Sequence, residues 1–112
     1  MQNYVTLKEN TDFVRIYYRG KSIATPALVV YSMKNSAGIC RVGITASKKI
    51  GNAVERNRSR RVIRAAYQSV FKKYKIQNRD IVFVARGKTK FLKSTAVEKA
   101  MEDALKELGV IK

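Results

Sequence analysis

Histidine and tryptophan are absent from this sequence of 112 residues, and Cys40 and Pro26 are its only cysteine and proline. Without histidine there is no Ser-His-Asp triad, no histidine acid–base pair and no histidine metal ligand. One cysteine excludes an internal disulfide and Cys-rich zinc modules. Cys40 alternates with Val42 and Ile44, so we expect it to be buried and inert. The acidic residues before position 98 are scattered, and no catalytic carboxylate pair is indicated.

Long hydrophobic runs are also missing from the chain. No apolar segment approaches the roughly 18 residues of a membrane span, and the first residues lack the apolar core of a signal peptide. We therefore expect a cytoplasmic protein with no membrane partner. A length of 112 residues with 46% hydrophobic residues predicts a single folded domain over residues 1–112.

Acidic residues are few, because 8 Asp and Glu accompany 24 Lys and Arg and leave a formal net charge of +16. Residues 98–112 carry a net charge of −1, so the excess lies before them. It is densest at 48–64, where seven cations accompany the single acid Glu55. Self-repulsion of this kind is relieved by a bound polyanion. Nucleic acid is the favoured partner, and the alternative is a solvated face that only maintains solubility.

The first third of the chain predicts one helix and then strands. Asn10 or Thr11 can cap a helix that ends at Gly20. The apolar run at 28–31 predicts a strand, and residues 34–38 have the composition of a hairpin turn.

The remainder of the chain predicts an alternating strand at 40–47, an amphipathic helix at 56–74 and a doubly covered central strand at 80–85. Thr95 and Glu98 form the pattern of a capping box for a last helix. The element order is αβββαβα, which predicts an α+β two-layer sandwich with helices packed on one mixed sheet.

One face of the helix predicted at 56–74 is apolar, and the other presents a row of arginines. The planar guanidinium suits bidentate phosphate contacts and stacking on bases. Three aromatic residues, Phe13, Tyr17 and Tyr31, could form a stacking platform beside these cations. Their spacing alone favours a core position for Phe13 and leaves both alternatives open for the two tyrosines.

The stretch from Arg41 to Arg64, RVGITASKKIGNAVERNRSRRVIR, closely resembles the protein component of bacterial ribonuclease P. The resemblance rests on Lys48-Lys49-x-Gly51-Asn52-Ala53 followed by Arg56-Asn57-Arg58 and Arg60-Arg61. It implies a fold like the second domain of ribosomal small-subunit protein five. In that fold, a left-handed crossover joins the parallel strands on either side of the basic helix, against the usual right-handed rule.

The resemblance also implies a function. The chain would be the protein subunit of a ribonucleoprotein endonuclease that removes the 5′ leader of precursor tRNA. Catalysis would reside in the RNA subunit, with Mg²⁺ bound there, and not in protein side chains. The partners would be the RNA subunit and the single-stranded leader, and no protein partner is indicated.

Site residues follow from the matching positions of the family pattern. Phe13, Tyr17 and Tyr31 would contact the leader. The residues that would contact the RNA subunit are Lys48, Lys49, Asn52, Arg56, Asn57, Arg58, Arg60, Arg61 and Arg64. Two other classes are weighed against this one: a ribosomal or translation-associated RNA-binding protein, and a small protein nuclease that acts alone.

Overall fold

The computed structural model describes residues 4–112, which form five strands and three α-helices. The strands are β1 (Tyr4–Thr6), β2 (Lys21–Ala24), β3 (Leu28–Lys34), β4 (Cys40–Thr45) and β5 (Arg79–Ala85). The helices are α1 (Asn10–Arg19), α2 (Ala53–Lys73) and α3 (Ser94–Glu107), and short 3-10 turns occupy Lys48–Ile50 and Thr89–Phe91. The predicted α+β class is confirmed.

The strands form one mixed sheet in the order β1-β4-β5-β3-β2. The strand β5 is parallel to β4 and antiparallel to β3, with Phe83 opposite both Ile44 and Val30. This confirms the prediction of a central strand at 80–85, whose apolar residues are covered on both faces. The helix α2 connects β4 to the parallel β5, and the left-handed sense of that connection remains a prediction.

Two predictions about the strands are wrong. The strands β3 and β4 do not form a hairpin, because β5 lies between them. The first element is not α1 but β1, whose Tyr4, Val5 and Thr6 pair in parallel with Cys40, Arg41 and Val42 of β4. A strand of three residues is too short to show an alternating pattern, so only its pairing reveals it.

The helices cover both faces of the sheet. On one face, Ile81 and Phe83 of β5 belong to the main core, to which α2 contributes Ile63 and Val70. On the opposite face, Val82 packs with Ile16 of α1 in a smaller cluster. Packing on a single mixed sheet is therefore confirmed, but the predicted two layers are wrong. The alternation of β5 places α1 on the face opposite α2 and α3, so the sheet lies between two helical layers. This second face contains all three predicted leader contacts.

Helix ends differ from the predicted caps. The N-cap of α1 is Glu9, and that of α3 is Lys93, neither with a side-chain capping bond. The predicted box between Thr95 and Glu98 does not form, because α3 begins at Ser94 and Thr95 therefore lies inside the helix. Glu98 accepts a hydrogen bond at 2.7 Å from Lys73 of α2. The Glu98 carboxylate therefore joins α3 to α2.

Three further observations concern the cysteine, membrane and metal predictions. Burial, with a smaller contribution from Asp80, raises the pKa of the Cys40 thiol to about 12, in agreement with the predicted inert strand residue. Between residues 4 and 112, no helix has the length and apolar character needed to cross a bilayer. The same residues contain no group of three or more Cys, Asp or Glu arranged to hold a metal ion.

Candidate nucleic-acid interface

The predicted RNA-subunit contacts lie on the 3-10 turn before α2 and on the first three turns of α2. We call them the basic face: Lys48, Lys49, Asn52, Arg56, Asn57, Arg58, Arg60, Arg61 and Arg64. All are exposed except the half-buried Arg56 and Arg60. The apolar stripe on the opposite side of α2 holds the helix against the sheet, and this orientation leaves the arginines facing solvent.

No cation of the basic face forms an ion pair within the part of the chain that the structure describes. Six of the eight acidic residues pair with cations elsewhere, on α1, β4, α3, the end of α2 and the turn Thr89–Phe91. Seven positive charges therefore lie close together without an internal counterion. An external polyanion would neutralise them.

The start of α2 is fixed by a capping box that the sequence analysis missed. Asn52 Oδ1 accepts from the Glu55 amide at 2.9 Å, and Glu55 Oε1 accepts from the Asn52 amide at 3.0 Å. Lys90 also binds Glu55 at 2.8 Å, and the hydrogen bonds from Lys90 and Asn52 lower the pKa of the Glu55 carboxyl. The Asn52 side chain thus caps the helix that carries the basic face.

The predicted leader contacts come together as an aromatic cluster, which we define as Phe13, Tyr17 and Tyr31. The ring centroids of Tyr17 and Tyr31 are 4.9 Å apart in an edge-to-face arrangement, and those of Phe13 and Tyr17 are 6.5 Å apart. Tyr17 is 39% exposed, whereas Phe13 and Tyr31 are half-buried against Leu7, Ile16 and Val82. The cluster is therefore part core and part accessible aromatic surface.

Gly43 of β4 makes room for the Phe13 ring. A Cβ at this position would lie 2.5 Å from Phe13 Cε1 and 2.6 Å from Cζ. A glycine inside an alternating strand is typical of close approach by another group. This signal was present in the sequence, and it identifies Gly43 as a determinant of the aromatic cluster.

A buried carboxylate fastens α1 to the sheet. Asp80 is 1% exposed and accepts two bonds from Arg41, at 2.7 and 2.8 Å, one from Arg15 of α1 at 3.2 Å and one from Asn35 at 2.7 Å. Burial opposes ionisation of Asp80, but the bonds from Arg41, Asn35 and Arg15 outweigh it and lower its pKa. Because Arg15 shares α1 with Phe13 and Tyr17, this network positions the aromatic cluster.

The aromatic cluster reaches the end of β4, close in sequence to the start of the basic face. The Tyr17 hydroxyl lies 3.4 Å from Thr45 Oγ1, and Thr45 precedes Lys48 by three residues.

Comparison with known proteins identifies the family of the chain that carries these two surfaces. The Ribonuclease P family model matches residues 1–109 of the chain. The chain belongs to the ribonuclease P protein family. Membership confirms the resemblance seen at Arg41–Arg64 and makes this chain the protein component of a tRNA-processing ribonucleoprotein endonuclease.

Relatives named ribonuclease P protein component match nearly the whole chain. The one from Clostridioides difficile is 40% identical over 105 residues, covering 93% of this chain and 91% of its own. The one from Staphylococcus haemolyticus is 41% identical over 106 residues, covering 95% of this chain and 91% of its own.

Solved ribonuclease P proteins share the fold. The Staphylococcus aureus protein superposes with a TM-score of 0.81 at 37% identity and covers 96% of this chain and 97% of its own. The Thermotoga maritima protein gives a TM-score of 0.75 at 26% identity and covers 88% and 92%.

Proposed function

We propose that this ribonuclease P protein binds the catalytic RNA subunit through its basic face and the single-stranded 5′ leader of precursor tRNA through its aromatic cluster. The unpaired charge of the basic face is the observation that carries the proposal. Arginine forks and exposed lysines without internal partners suit the phosphates of a folded RNA. Aromatic rings suit unpaired bases, which stack without strict sequence preference.

The chemistry of leader removal belongs, in this proposal, to the RNA subunit. The chain has no histidine, and its described carboxylates are mostly committed to ion pairs. The described residues do not suit a protein-held Mg²⁺ site. We therefore assign Mg²⁺ to the phosphates of the RNA subunit and give the protein the tasks of holding RNA and orienting the leader.

A leader-length series tests the function. Precursor tRNAs with progressively longer 5′ leaders are titrated against the RNA subunit with and without this protein. We expect the affinity gained from the protein to grow over the first several nucleotides and then to level off. Protein without RNA subunit is expected to cut none of the substrates, and cleavage in that arm would assign catalysis to the protein.

The Tyr17→Ala variant makes the same series specific for the aromatic cluster. Loss of a stacking side chain costs about 1–3 kcal/mol per base, so binding of long-leader substrates should weaken about tenfold while leaderless tRNA binds as before. Equal loss for both substrates would reject the leader assignment. Absence of any leader dependence in the wild type would favour a general RNA-binding protein of the ribosomal type.

The basic face predicts a steep dependence of RNA-subunit binding on salt. Neutralising about six phosphates gives a slope of about −5 in a plot of log affinity against log salt concentration. Arg60→Ala should weaken binding and reduce that slope by about 1. Lys106→Ala, which removes the same charge from an exposed position on α3, should leave the slope unchanged. A slope near zero for the wild type would contradict a phosphate-driven interface.

A further inference from the structure

A second aromatic contact surface lies beside the basic face, on the side where α2 meets the turn Thr89–Phe91. The Phe91 side chain is 79% exposed there. It borders an open groove with four cations in its lining, Arg58 and Arg61 from α2 and Lys90 and Lys93 from the turn and its C-terminal flank. No acidic residue lines this groove.

The turn that presents Phe91 is anchored on both of its other residues. Thr89 is fully buried, and its hydroxyl donates to the Ala27 carbonyl at 2.5 Å and accepts from the Arg86 amide at 2.9 Å. Lys90 donates to the Ile50 carbonyl at 2.7 Å and pairs with Glu55. The turn is therefore held against the start of α2, and Phe91 has a fixed position.

One side of the Phe91 ring already carries a cation. The Lys90 ammonium lies 5.3 Å from the ring centroid, within the range of a cation–π contact. An exposed ring held in place beside four cations has the features of a platform for an unpaired base, with phosphates bound by the arginines.

We infer that Phe91 stacks on an unpaired base of the catalytic RNA subunit, with Arg58, Arg61 and Lys93 binding the adjacent phosphates. This inference rests on the proposed function. The RNA subunit is chosen over the leader because Arg58 and Arg61 belong to the basic face and extend it without interruption. The aromatic cluster proposed for the leader lies on the other face of the sheet.

Alanine substitution measures the contact directly. Phe91→Ala should weaken binding of the RNA subunit about tenfold, since a stacked base is lost, and should leave the salt slope unchanged because no charge is removed. Phe91→Tyr should retain most of the affinity, whereas Phe91→Leu should lose nearly as much as alanine. Tyr18→Ala is the matched control, because it removes an 87% exposed ring on α1 and should leave the affinity as it is.

The chain has no tryptophan, so Phe91→Trp introduces a single tryptophan whose emission can be excited apart from that of the tyrosines. Its emission should be quenched when the RNA subunit is added, whereas the emission of Tyr18→Trp should not change. Thermal unfolding of each variant in the absence of RNA should match the wild type, because both rings are largely exposed.

The outcomes separate this inference from the proposed function. If the wild type binds the RNA subunit and Phe91→Ala binds equally well, the stacking contact is overturned and the proposed function stands. If Phe91→Ala loses affinity only for leader-bearing substrate, the assignment of the stacked base to the RNA subunit is overturned. If the wild type does not bind the RNA subunit, the proposed function itself fails.

Discussion

The Arg41→Met variant is expected to unfold with a free energy lower by about 3 kcal/mol than that of the wild type, because it removes one partner of a buried charge pair. Asp80 is almost fully buried and depends on Arg41 for two of its four bonds. Arg15 and Asn35 still bind Asp80 in this variant. The expected loss of free energy is therefore at the lower end of the range for a broken buried ion pair. Urea unfolding measures the difference without adding ions that would screen the charges.

An exposed ion pair supplies the matched control for this variant. Lys99 and Asp103 lie 3.1 Å apart on α3 with side chains 76% and 57% exposed. Lys99→Met removes one positive charge, as Arg41→Met does, but should cost no more than about 1 kcal/mol. Similar losses for the two variants would show that net charge, and not the Asp80 network, determines the stability.

The Asp80 network also predicts how stability depends on pH. The pKa of Asp80 is lowered in the folded state, so its contribution is present above the unfolded value of about 3.9 and is lost as the pH falls through the lowered folded value. The free energy of unfolding of the Asp80→Asn variant should therefore fall less steeply with decreasing pH than that of the wild type. If the free energy of unfolding of this variant falls in acid as steeply as that of the wild type, the pH dependence comes from other carboxylates.

The Gly43→Ala variant is expected to disrupt the aromatic cluster. The added Cβ would meet Phe13 Cε1 at 2.5 Å and Leu7 Cβ at 3.3 Å, so the Phe13 ring must move. Overpacking of this kind costs about 1–3 kcal/mol of stability, and displacement of the ring should remove most of the affinity gained from a long leader. Urea unfolding and the leader-length series measure the two effects.

A double-mutant cycle tests whether the Gly43→Ala effect acts through Phe13. In a Phe13→Ala background the two closest contacts of the added methyl group are removed and Leu7 Cβ at 3.3 Å remains, so the stability cost of Gly43→Ala should fall by an interaction energy of about 0.5–3 kcal/mol. Gly87→Ala is the matched control, since a Cβ there meets nothing within 4 Å. Additive losses in the cycle would exclude the contact with Phe13 as the cause.

Local patterns predicted the elements that are long and strongly periodic. The apolar stripe of α2 and the continuous apolar run of β5 were recognisable because burial imposes a fixed period on each of them. The arginines of the basic face follow from that same stripe, since residues on the other side of a buried helix must face solvent. The concentration of charge at 48–64 predicted a polyanion before any contact was known.

Features that depend on distant partners were not predicted. The Asp80 network joins α1, β4, β5 and the turn after β3 through residues up to 65 positions apart, and no short window of sequence contains it. The predicted cap at Thr95 and Glu98 was wrong because α3 begins one residue earlier, at Ser94, and Glu98 binds Lys73 on another helix. The anchored position of Phe91 was not predictable either, because it depends on contacts of its turn with the distant residues Ala27, Ile50 and Glu55.

The sequence by itself therefore determined the helix and strand types, the charge of the basic face and, through the stretch at Arg41–Arg64, the family. Only the tertiary structure decided that β5 separates β3 from β4 and that β1 joins the sheet. It also decided that α1 covers the second face, where the aromatic cluster forms. Periodicity records whether a residue is buried, whereas strand order and side-chain partners depend on which distant segments bury it.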